Sequence, residues 1–272
     1  MKDKILVYPI KYQSRKEIIK IRPLMDLHKG AKTCDIRAFK EWLKDHDENT
    51  YYFTNGDMWD MIFFDDKRFR LSGHDPADGE DDDPIDLEVK EMAALLDSIK
   101  DHLICIGTGN HEDAVTKRCH TNPSKRLADL LNVPYMGYSY WFRLLLSQGG
   151  QGGRTVDFFC THGFGGGTRT EGGSVTKYSK FSDRFLCDVF VAGHDHRKQY
   201  VRYPLLGIHG QKDVVLFGKS KLVCLGGSWK KTYGTGSSVT WEETKGFAPS
   251  EIGGITIEIK PSDRWVKLNV TM

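Results

Sequence analysis

The feature that most constrains this fold is a series of five short apolar runs, each followed within two positions by aspartate, asparagine or histidine. The runs P-L-M, Y-Y-F-T, H-L-I-C-I-G-T, V-D-F-F-C and D-V-F-V-A-G precede the motifs D-L-H, N-G-D-M-W-D, G-N-H-E, T-H-G and G-H-D-H. Such short, nearly continuous runs are typical of strands, several of them buried on both faces. The segments between them include helical patterns, so the sequence predicts an α/β fold.

Two of these segments are helix candidates, and the end of the chain differs from its beginning. Residues 35–45 and, more clearly, residues 84–100 have apolar side chains at helical spacing, with Asp83 as a suitable N-cap. After residue 199 the chain changes character, and residues 199–228 and 255–270 favour β-ribbons. No repeat and no linker is evident, which predicts a single domain.

The five motifs supply side chains that can bind a metal ion. Ligands of open α/β sheets bind outside the carboxyl ends of the strands, so these side chains are expected at one edge. In D-L-H and H-D-H the two outer residues are two positions apart, and residues i and i+2 of a strand point to the same side. One such motif alone is more often a satisfied polar strand end, but five in order indicate a site. The candidates are Asp26, His28, Asp57, Asn110, His162, His194 and His196.

The bulk properties of the chain exclude little. Its 39 lysines and arginines nearly balance 37 aspartates and glutamates, so charge alone selects no class of partner. The apolar stretch at the N-terminus is too short for a signal peptide, and no run approaches the about 18 apolar residues of a membrane span. Six cysteines without a C-x-x-C pair are typical of a reducing compartment. We expect a soluble, cytoplasmic protein without a membrane partner.

The ordered motifs resemble those of the calcineurin-like metallophosphoesterases. The resemblance covers residues 26–196 and rests on D-L-H, G-D-M-W-D, G-N-H-E, T-H-G and G-H-D-H. It implies a four-layer αββα sandwich, in which two mixed β-sheets are flanked by helices and a metal site lies at the C-terminal ends of the strands. One metallophosphoesterase domain would span residues 1–272, with an acidic loop insertion at about 65–83 and a β-rich C-terminal part at about 199–272.

The resemblance also implies a role for each motif residue. The first metal would be held by Asp26, His28 and His196, and the second by Asn110, His162 and His194. Asp57 would bridge the two metals. His111 matches the histidine that assists the leaving group, and Asp60 matches the acid that orients this histidine.

The chemistry of these residue types agrees with the resemblance. Two divalent cations about 3.5 to 4 Å apart can activate a bridging hydroxide and neutralise charge on a phosphoryl group during in-line displacement. Carboxylate, amide and imidazole ligands without thiolate suit manganese, with iron, zinc and magnesium as alternatives. We therefore expect a metal-dependent phosphoester hydrolase that binds two divalent ions per chain, with Mn²⁺ as the first choice.

Two residues depart from the pattern. Met61 stands where family members often have arginine, so any phosphate contact from that arginine has to come from elsewhere. Pro23 lies just before the first motif, and proline is unusual inside a central strand. The strand is therefore expected to start at Pro23 or to carry a bulge there.

A different class of function is a non-catalytic scaffold, because a retromer subunit of the same fold uses it for protein contacts although its metal site has degraded. Here all seven ligand positions and His111 are present, which favours the enzyme. A structural zinc protein is disfavoured, since such sites usually use cysteine and close at four ligands. No obligate protein partner is inferred.

The substrate class stays open between a phosphodiester, a phosphomonoester and a dinucleotide polyphosphate, because specificity depends on the surrounding loops. Residues 162–206 carry seven basic and four acidic side chains, and W-K-K-T-Y-G at 229–234 places two lysines between aromatic residues. Such a composition suits single-stranded nucleic acid, and a solvated turn with a partly buried tryptophan is the alternative. On this balance a phosphodiesterase is favoured over a dedicated monoesterase, with a nuclease as one form of it. The candidate substrate-binding residues are Arg169, Trp229, Lys230, Lys231 and Tyr233.

Two further segments stand out by composition. Residues 65–91 carry eleven acidic and four basic side chains, and this block would repel a polyanion, which predicts a flap that lies away from the substrate path or gates it. Its spacing does not fit an EF-hand calcium loop. Residues 162–173 are rich in glycine but lack the G-K-[ST] of a phosphate-binding loop.

Overall fold

A computed structural model describes most of the chain. The described residues are 5–62, 84–149, 151–166, 168, 170–209, 213–234, 239–262 and 266–272. Asp83 and the acidic insertion at 65–83 lie outside them. Within these ranges no helix is both long enough and apolar enough to cross a membrane.

Strands and helices follow one another along the chain. The strands are β1 (Ile5–Tyr12), β2 (Ile19–Leu24), β3 (Thr50–Thr54), β4 (Leu103–Gly107), β5 (Tyr135–Gly137), β6 (Ser139–Gln148), β7 (Gln151–Thr161), β8 (Val189–Ala192), β9 (Lys198–His209), β10 (Val215–Ser228), β11 (Gly253–Gly254), β12 (Thr256–Pro261) and β13 (Val266–Thr271). The helices are α1 (Ile36–Lys44), α2 (Pro84–Leu96), α3 (Asn110–Cys119), α4 (Pro123–Leu131), α5 (Gly173–Ser182) and α6 (Trp241–Thr244), with a 3-10 helix at Asp97–His102.

The strands form two mixed sheets. The first sheet has the order β1-β6-β7-β8-β10-β11, and β9 pairs with β10. The second has the order β13-β12-β2-β3-β4-β5. Strands β2 to β5 run parallel, as do β7, β8 and β10, so their carboxyl ends lie at a common edge of each sheet.

Three hydrophobic clusters show that these sheets are the inner layers of a four-layer sandwich. Successive residues of β7 alternate between two of them: Phe158 and Cys160 belong to the core between the sheets, whereas Phe159 packs with Tyr178 of α5. The third cluster joins the outer face of the second sheet to helices α1, α2 and α4. The predicted αββα fold is therefore confirmed.

The local predictions also hold, with one correction. The five apolar runs form β2, β3, β4, β7 and β8, and the predicted helices and ribbons are present. Pro23, however, neither starts β2 nor causes a bulge, because β2 pairs with β3 in continuous register from Lys20 to Leu24. The ladder to β12 on the other side ends at Ile21. A proline without an N–H donor is tolerated beyond that point because no ladder partner is lost.

Candidate metal centre

The seven predicted ligands follow the carboxyl ends of five strands, as their motifs indicate. Asp26 and His28 follow β2, Asp57 follows β3, Asn110 opens α3 after β4, His162 follows β7, and His194 and His196 follow β8. Three of these strands belong to the second sheet and two to the first. Both inner layers of the sandwich therefore contribute to one site.

The first group of ligands is Asp26, His28 and His196. Their donor atoms all lie within 4.8 Å of one another. The Nε2 atoms of His28 and His196 are 3.0 Å apart, and His196 Nε2 lies 3.5 Å from an oxygen of Asp26. Two imidazoles and a carboxylate thus converge on one point.

The second group contains Asp57, His162 and His194, whose donor atoms again lie within 4.8 Å of one another. The side-chain oxygen of Asn110 completes it, at 3.0 Å from His162 Nε2 and 2.8 Å from His194 Nδ1. The structure therefore brings together the four residues that the resemblance implies for the second metal and its bridge.

Asp57 stands between the two groups. Its Oδ2 atom lies 3.2 Å from Nε2 of His162 and 3.8 Å from Nε2 of His28. Its other oxygen accepts a hydrogen bond from the backbone N–H of His111 at 3.0 Å, which fixes the carboxylate. One oxygen of Asp57 is therefore available to both groups.

The hydrogen bonds on the far side of three imidazoles test whether this set fits metal ions. The pairs are His28 Nδ1 with the Asp60 carboxylate at 3.0 Å, His162 Nδ1 with the Asn55 carbonyl at 2.9 Å, and His194 Nε2 with the Gly165 carbonyl at 2.7 Å. In each pair the imidazole donates its far N–H, which turns the other nitrogen toward the site, where the neutral form of the ring can bind a metal ion. Imidazole, carboxylate and amide donors that converge in this way form a set that divalent metal ions fit.

Burial and neighbouring charges shift the pKa values in the site. Burial raises the pKa of Asp26 well above its usual range. Burial also opposes ionisation of Asp57, but His162 and His111 beside it hold its pKa well below the usual range. Burial lowers the pKa of His28 to about 4, whereas Asp57 overcomes burial at His162 and raises its pKa to about 10. Asp57 thus keeps its negative charge at the centre of the site, where it favours a cation beside it.

The backbone of the ligand motifs is not the extended strand that the i, i+2 spacing predicts. Leu24 ends β2 and Ala192 ends β8, so the paired ligands lie past the strands and pleat alternation does not orient them. Five ligands instead adopt left-handed backbone conformations: Asp26 (φ 49°), His28 (52°), Asp57 (51°), His194 (72°) and His196 (53°). This region is disfavoured for residues other than glycine, and such strain concentrates at functional sites.

Glu112 is a site residue that the sequence analysis missed. It is fully buried, and its carboxylate accepts the backbone N–H groups of Asp57 (3.0 Å), Met58 (2.7 Å) and Gly109 (2.8 Å). Glu112 therefore holds the loop that presents the bridging aspartate. A signal existed in G-N-H-E, because glutamate at the third position of a helix is half of a capping box.

Asp60 is connected differently from what the resemblance implies. Its carboxylate pairs with His28, whereas its main-chain oxygen accepts the hydrogen bond from His111 Nδ1. Its carboxylate oxygen lies 3.9 Å from that nitrogen. His111 is therefore oriented by the backbone of Asp60, and the Asp60 carboxylate orients a ligand of the first group.

The predicted substrate-binding residues have different surroundings. Arg169 lies outside the described residues. The ring of Trp229 is 3% exposed and packs against Phe39 and Trp42 of α1, at 5.2 and 5.3 Å between ring centroids. A base cannot stack on a buried ring, so the prediction for Trp229 is wrong, and the alternative of a buried tryptophan applies.

The other three predicted residues remain near the site. Lys230 Nζ lies 3.5 Å from Asp60 Oδ1 and 2.9 Å from Glu242 Oε1, in a largely buried position. Lys231 forms an ion pair with Asp35 at 2.8 Å and is half-exposed. Tyr233 is exposed.

A cavity of about 890 Å³ opens onto the metal ligands. One of its walls is the cover segment, which comprises the described residues 229–234 and 239–250. Tyr233, Trp241 and Phe247 belong to this wall, and Gly165, from a separate part of the chain, also lines the cavity. Trp241 and Phe247 could not be predicted as site residues, because no motif marks them.

No protein-family model and no curated protein matches the sequence. Among solved structures, similar ones include a predicted phosphoesterase from Streptococcus pneumoniae (13% identity, 93% of this chain and 89% of that chain, TM-score 0.32), vacuolar protein sorting 29 from Cryptosporidium parvum (14%, 93% and 97%, 0.35) and the NAD nucleotidase of Haemophilus influenzae (11%, 94% and 49%, 0.42). The chain resembles the calcineurin-like metallophosphoesterases. At these identities and TM-scores, the matches carry no information on substrate, partner or activity.

Proposed function

We propose that this protein is a phosphoester hydrolase that uses two divalent cations and prefers phosphodiesters, nucleic acid among them. One observation carries the proposal. The Asp57 carboxylate stands between two groups of imidazole, carboxylate and amide donors. A pair of cations that shares a carboxylate is the arrangement with which many proteins hydrolyse phosphoesters.

Each ligand group would hold one ion, with Mn²⁺ as the first candidate and iron, zinc or magnesium as alternatives. Bound ions would supply positive charge at the phosphoryl oxygens and a nucleophile at neutral pH. Asp26, His28 and His196 would hold one ion, whereas Asn110, His162 and His194 would hold the other, and Asp57 would bridge them.

His111 is the residue that we propose to protonate the leaving group. The Asp60 carbonyl accepts its Nδ1–H, and Nε2 lies on the ligand side, 3.9 Å from Asp57 Oδ2. A histidine held in this way can deliver a proton to an alkoxide as the bond to phosphorus breaks.

Lys230 is the residue that we propose to contact the phosphate in place of the arginine that Met61 replaces. Its ammonium group lines the same cavity as His111 and the ligands. Asp60 and Glu242 hold it there, and their negative charges outweigh burial and raise the pKa of Lys230 above its usual value. Lys230 therefore stays protonated and can bind an anionic oxygen.

Two features of the cavity support a diester rather than a monoester. A diester carries a substituent on either side of phosphorus, and the cavity has walls from two separate segments, around Gly165 and along the cover segment. It also contains the basic side chains of Lys231, Arg197 and Lys245, which suit a polyanionic chain. Because both sheets supply ligands, we propose that residues 1–272 act as one domain.

A hydrolysis panel with the Mn²⁺-loaded protein tests the proposal. We expect cleavage of bis(p-nitrophenyl) phosphate and single-stranded DNA above that of p-nitrophenyl phosphate, loss of activity in chelator, and two metal equivalents by elemental analysis. Full activity of a metal-free protein in chelator would overturn the hydrolase mechanism. Strong monoester turnover without cleavage of any nucleic-acid strand would overturn only the diester preference.

A further inference from the structure

We infer that the substrate carries a nucleoside beside the scissile phosphate, and that its base binds against the exposed aromatic wall of the cover segment. The wall consists of Tyr233, Trp241 and Phe247, which all line the cavity that contains the metal ligands. The inference rests on the proposed function, because the metal centre would position the phosphate. It specifies that the protein recognises the base of the substrate and that the aromatic wall of the cavity binds it.

The wall exposes more aromatic surface than burial in a core would leave. Phe247 is 40% exposed and Tyr233 is 44% exposed. The rings of Trp241 and Phe247 pack edge to face, with centroids 5.7 Å apart, so they form one apolar surface. Exposed apolar patches that line a cavity are typical of ligand sites.

Hydrogen bonds within the cover segment hold this wall in place. Thr240 donates its hydroxyl to the Thr232 carbonyl at 2.7 Å, and the side chains of Thr232 and Ser250 bond at 2.8 Å. The Tyr233 hydroxyl donates to the Phe247 carbonyl at 2.9 Å, which links the two ends of the wall. A wall that is ordered before binding loses little entropy when a ligand binds.

Lys230 connects the wall to the metal centre. Its ammonium group contacts both Asp60, which orients the ligand His28, and Glu242, which adjoins Trp241 in α6. A phosphate at the metals would therefore place its substituent along the cover segment. The cavity volume of about 890 Å³ leaves room for a nucleoside beside the phosphate.

The rim of the wall favours a base over an alkyl chain. Lys245 Nζ lies 5.9 Å from the centroid of the Trp241 ring, and Glu242 lines the cavity beside it. A lipid tail would place methylene groups against these charges at a desolvation cost. A nucleobase instead offers a flat face to the aromatic rings and polar edges to the charged groups.

Two substrates with the same leaving group test this inference: methyl p-nitrophenyl phosphate and thymidine 5′-(p-nitrophenyl) phosphate. They differ only in the group that stays on the phosphate after p-nitrophenolate leaves, which is methyl in one and thymidine in the other. With Mn²⁺ present, we expect kcat/KM to be roughly 5- to 100-fold higher for the thymidine ester, mainly through KM, because stacking on aromatic rings stabilises a bound base. Trp241→Ala and Phe247→Ala should lower kcat/KM for the thymidine ester by a larger factor than kcat/KM for the methyl ester, so that the ratio of the two falls.

Tyr200→Ala is the matched control, because Tyr200 is a comparably exposed aromatic residue (37%) in β9 that does not line the cavity. It should leave both substrates unchanged. If Trp241→Ala lowers both substrates together with the melting temperature, Trp241→Leu separates packing from stacking, because leucine fills space without an aromatic face. Equal kcat/KM for the two esters in the wild type, or full thymidine selectivity in Trp241→Leu, would overturn the inference.

A binding measurement separates this inference from the proposed function. Calorimetric titration of thymidine 5′-monophosphate into the Mn²⁺-loaded protein should give an affinity that Trp241→Leu and Phe247→Ala each lower by at least about 5-fold. If the two variants weaken nucleotide binding but the wild type hydrolyses neither ester, the proposed hydrolase function is wrong and the base site is supported. If the wild type hydrolyses both esters but neither variant changes nucleotide binding, the hydrolase function is supported and the base site is wrong. Preferred turnover of phosphotyrosine over the thymidine ester would assign the wall to a peptide substrate instead.

Discussion

The ligand-bearing edge of the two sheets and the cover segment line the same cavity, but they relate to the sequence in opposite ways. At the edge, residue type is dictated by chemistry, because few side chains other than aspartate, histidine and asparagine give this set of donors. In the cover segment, Trp241 and Phe247 are ordinary apolar residues whose role depends on where the fold places them. The proposed metal chemistry can therefore be predicted from short motifs, whereas the proposed substrate choice depends on where the fold places residues that no motif marks.

The two regions also differ in how they are held. Strand ends and Glu112 fix the ligands from inside the sandwich. The cover segment is anchored through α1 at its first residues, where Asp35 donates its backbone N–H to the Trp229 carbonyl at 2.7 Å and the Trp229 ring packs on Phe39. Changes at the edge should thus affect chemistry, and changes at the anchor should affect stability.

Asp57→Asn should give the largest effect, because it removes the negative charge that the two proposed cations would share. A bound cation contributes several kcal/mol of charge stabilisation in the transition state, so a loss of about 10⁴-fold in kcat is expected. Steady-state kinetics and elemental analysis on the same sample measure the activity and the metal content. Asp97→Asn, an exposed aspartate in the 3-10 helix, is the control. Two bound metals and a normal kcat in Asp57→Asn would show that Asp57 is not a required bridging ligand.

His111→Gln should give the next largest effect, and its size should depend on the leaving group. An alkoxide needs a proton as it departs, so an alkyl ester should lose about 10²- to 10⁴-fold in kcat. A nitrophenolate leaves as a stable anion and should lose less. Parallel kinetics on the two ester types measure the difference. Equal losses would indicate that His111 stabilises charge without transferring a proton.

Much of the edge could be predicted from sequence, and the reasons why the rest could not are physical. Donor residues directly after apolar runs gave the seven ligands, because buried strands have a recognisable composition. The left-handed backbone at Asp57 and the hydrogen bond from His111 to the Asp60 carbonyl depend on loop packing that no local pattern records. Strand β1 was likewise missed, because its partner β6 lies far along the chain.

Lys230→Met should lower kcat/KM for phosphodiesters by roughly 10- to 100-fold, since a hydrogen bond to a charged group contributes about 1.5 to 3 kcal/mol. Methionine retains most of the side-chain volume in this largely buried position. Glu242→Gln is the informative partner variant, because it removes the carboxylate that pairs with Lys230 and should strengthen phosphate binding. Unchanged kcat/KM in Lys230→Met would show that Lys230 does not bind the substrate phosphate.

Salt dependence sharpens the same point for nucleic acid. Binding of single-stranded DNA should weaken steeply with salt, and the pair Lys230→Ala, Lys231→Ala should flatten that dependence because two phosphate contacts are lost. Fluorescence anisotropy at several salt concentrations measures the slope. An unchanged slope would show that Lys230 and Lys231 do not contact the phosphates of the DNA strand.

The smallest effect is expected at Asp35, which joins the anchor to the cover segment. Its carboxylate pairs with Lys231 at 2.8 Å and caps α1 by accepting the N–H of Ala38 at 3.0 Å. Both contacts lower the pKa of Asp35 below its usual value, the Lys231 contact more strongly. A carboxylate with a lowered pKa stabilises the fold above its unfolded pKa of about 3.9, and this contribution is lost as the pH falls through the folded pKa.

Asp35→Ala should therefore lower the free energy of unfolding by about 0.5 to 2 kcal/mol at pH 7, the usual cost of losing an N-cap. Asp35→Asn should lower it less, because asparagine can still cap the helix although it cannot pair with Lys231. Urea denaturation at pH 7 and at about pH 3 measures both variants against the wild type. Both gaps should narrow at the lower pH, because protonation of the unfolded carboxylate below its pKa of about 3.9 reduces the contribution of Asp35 to stability. A gap between Asp35→Asn and wild type that keeps its size at both pH values would show that the charge of Asp35 does not hold the cover segment. The anchor would then consist of the packing of the Trp229 ring and the backbone hydrogen bond from Asp35 to Trp229.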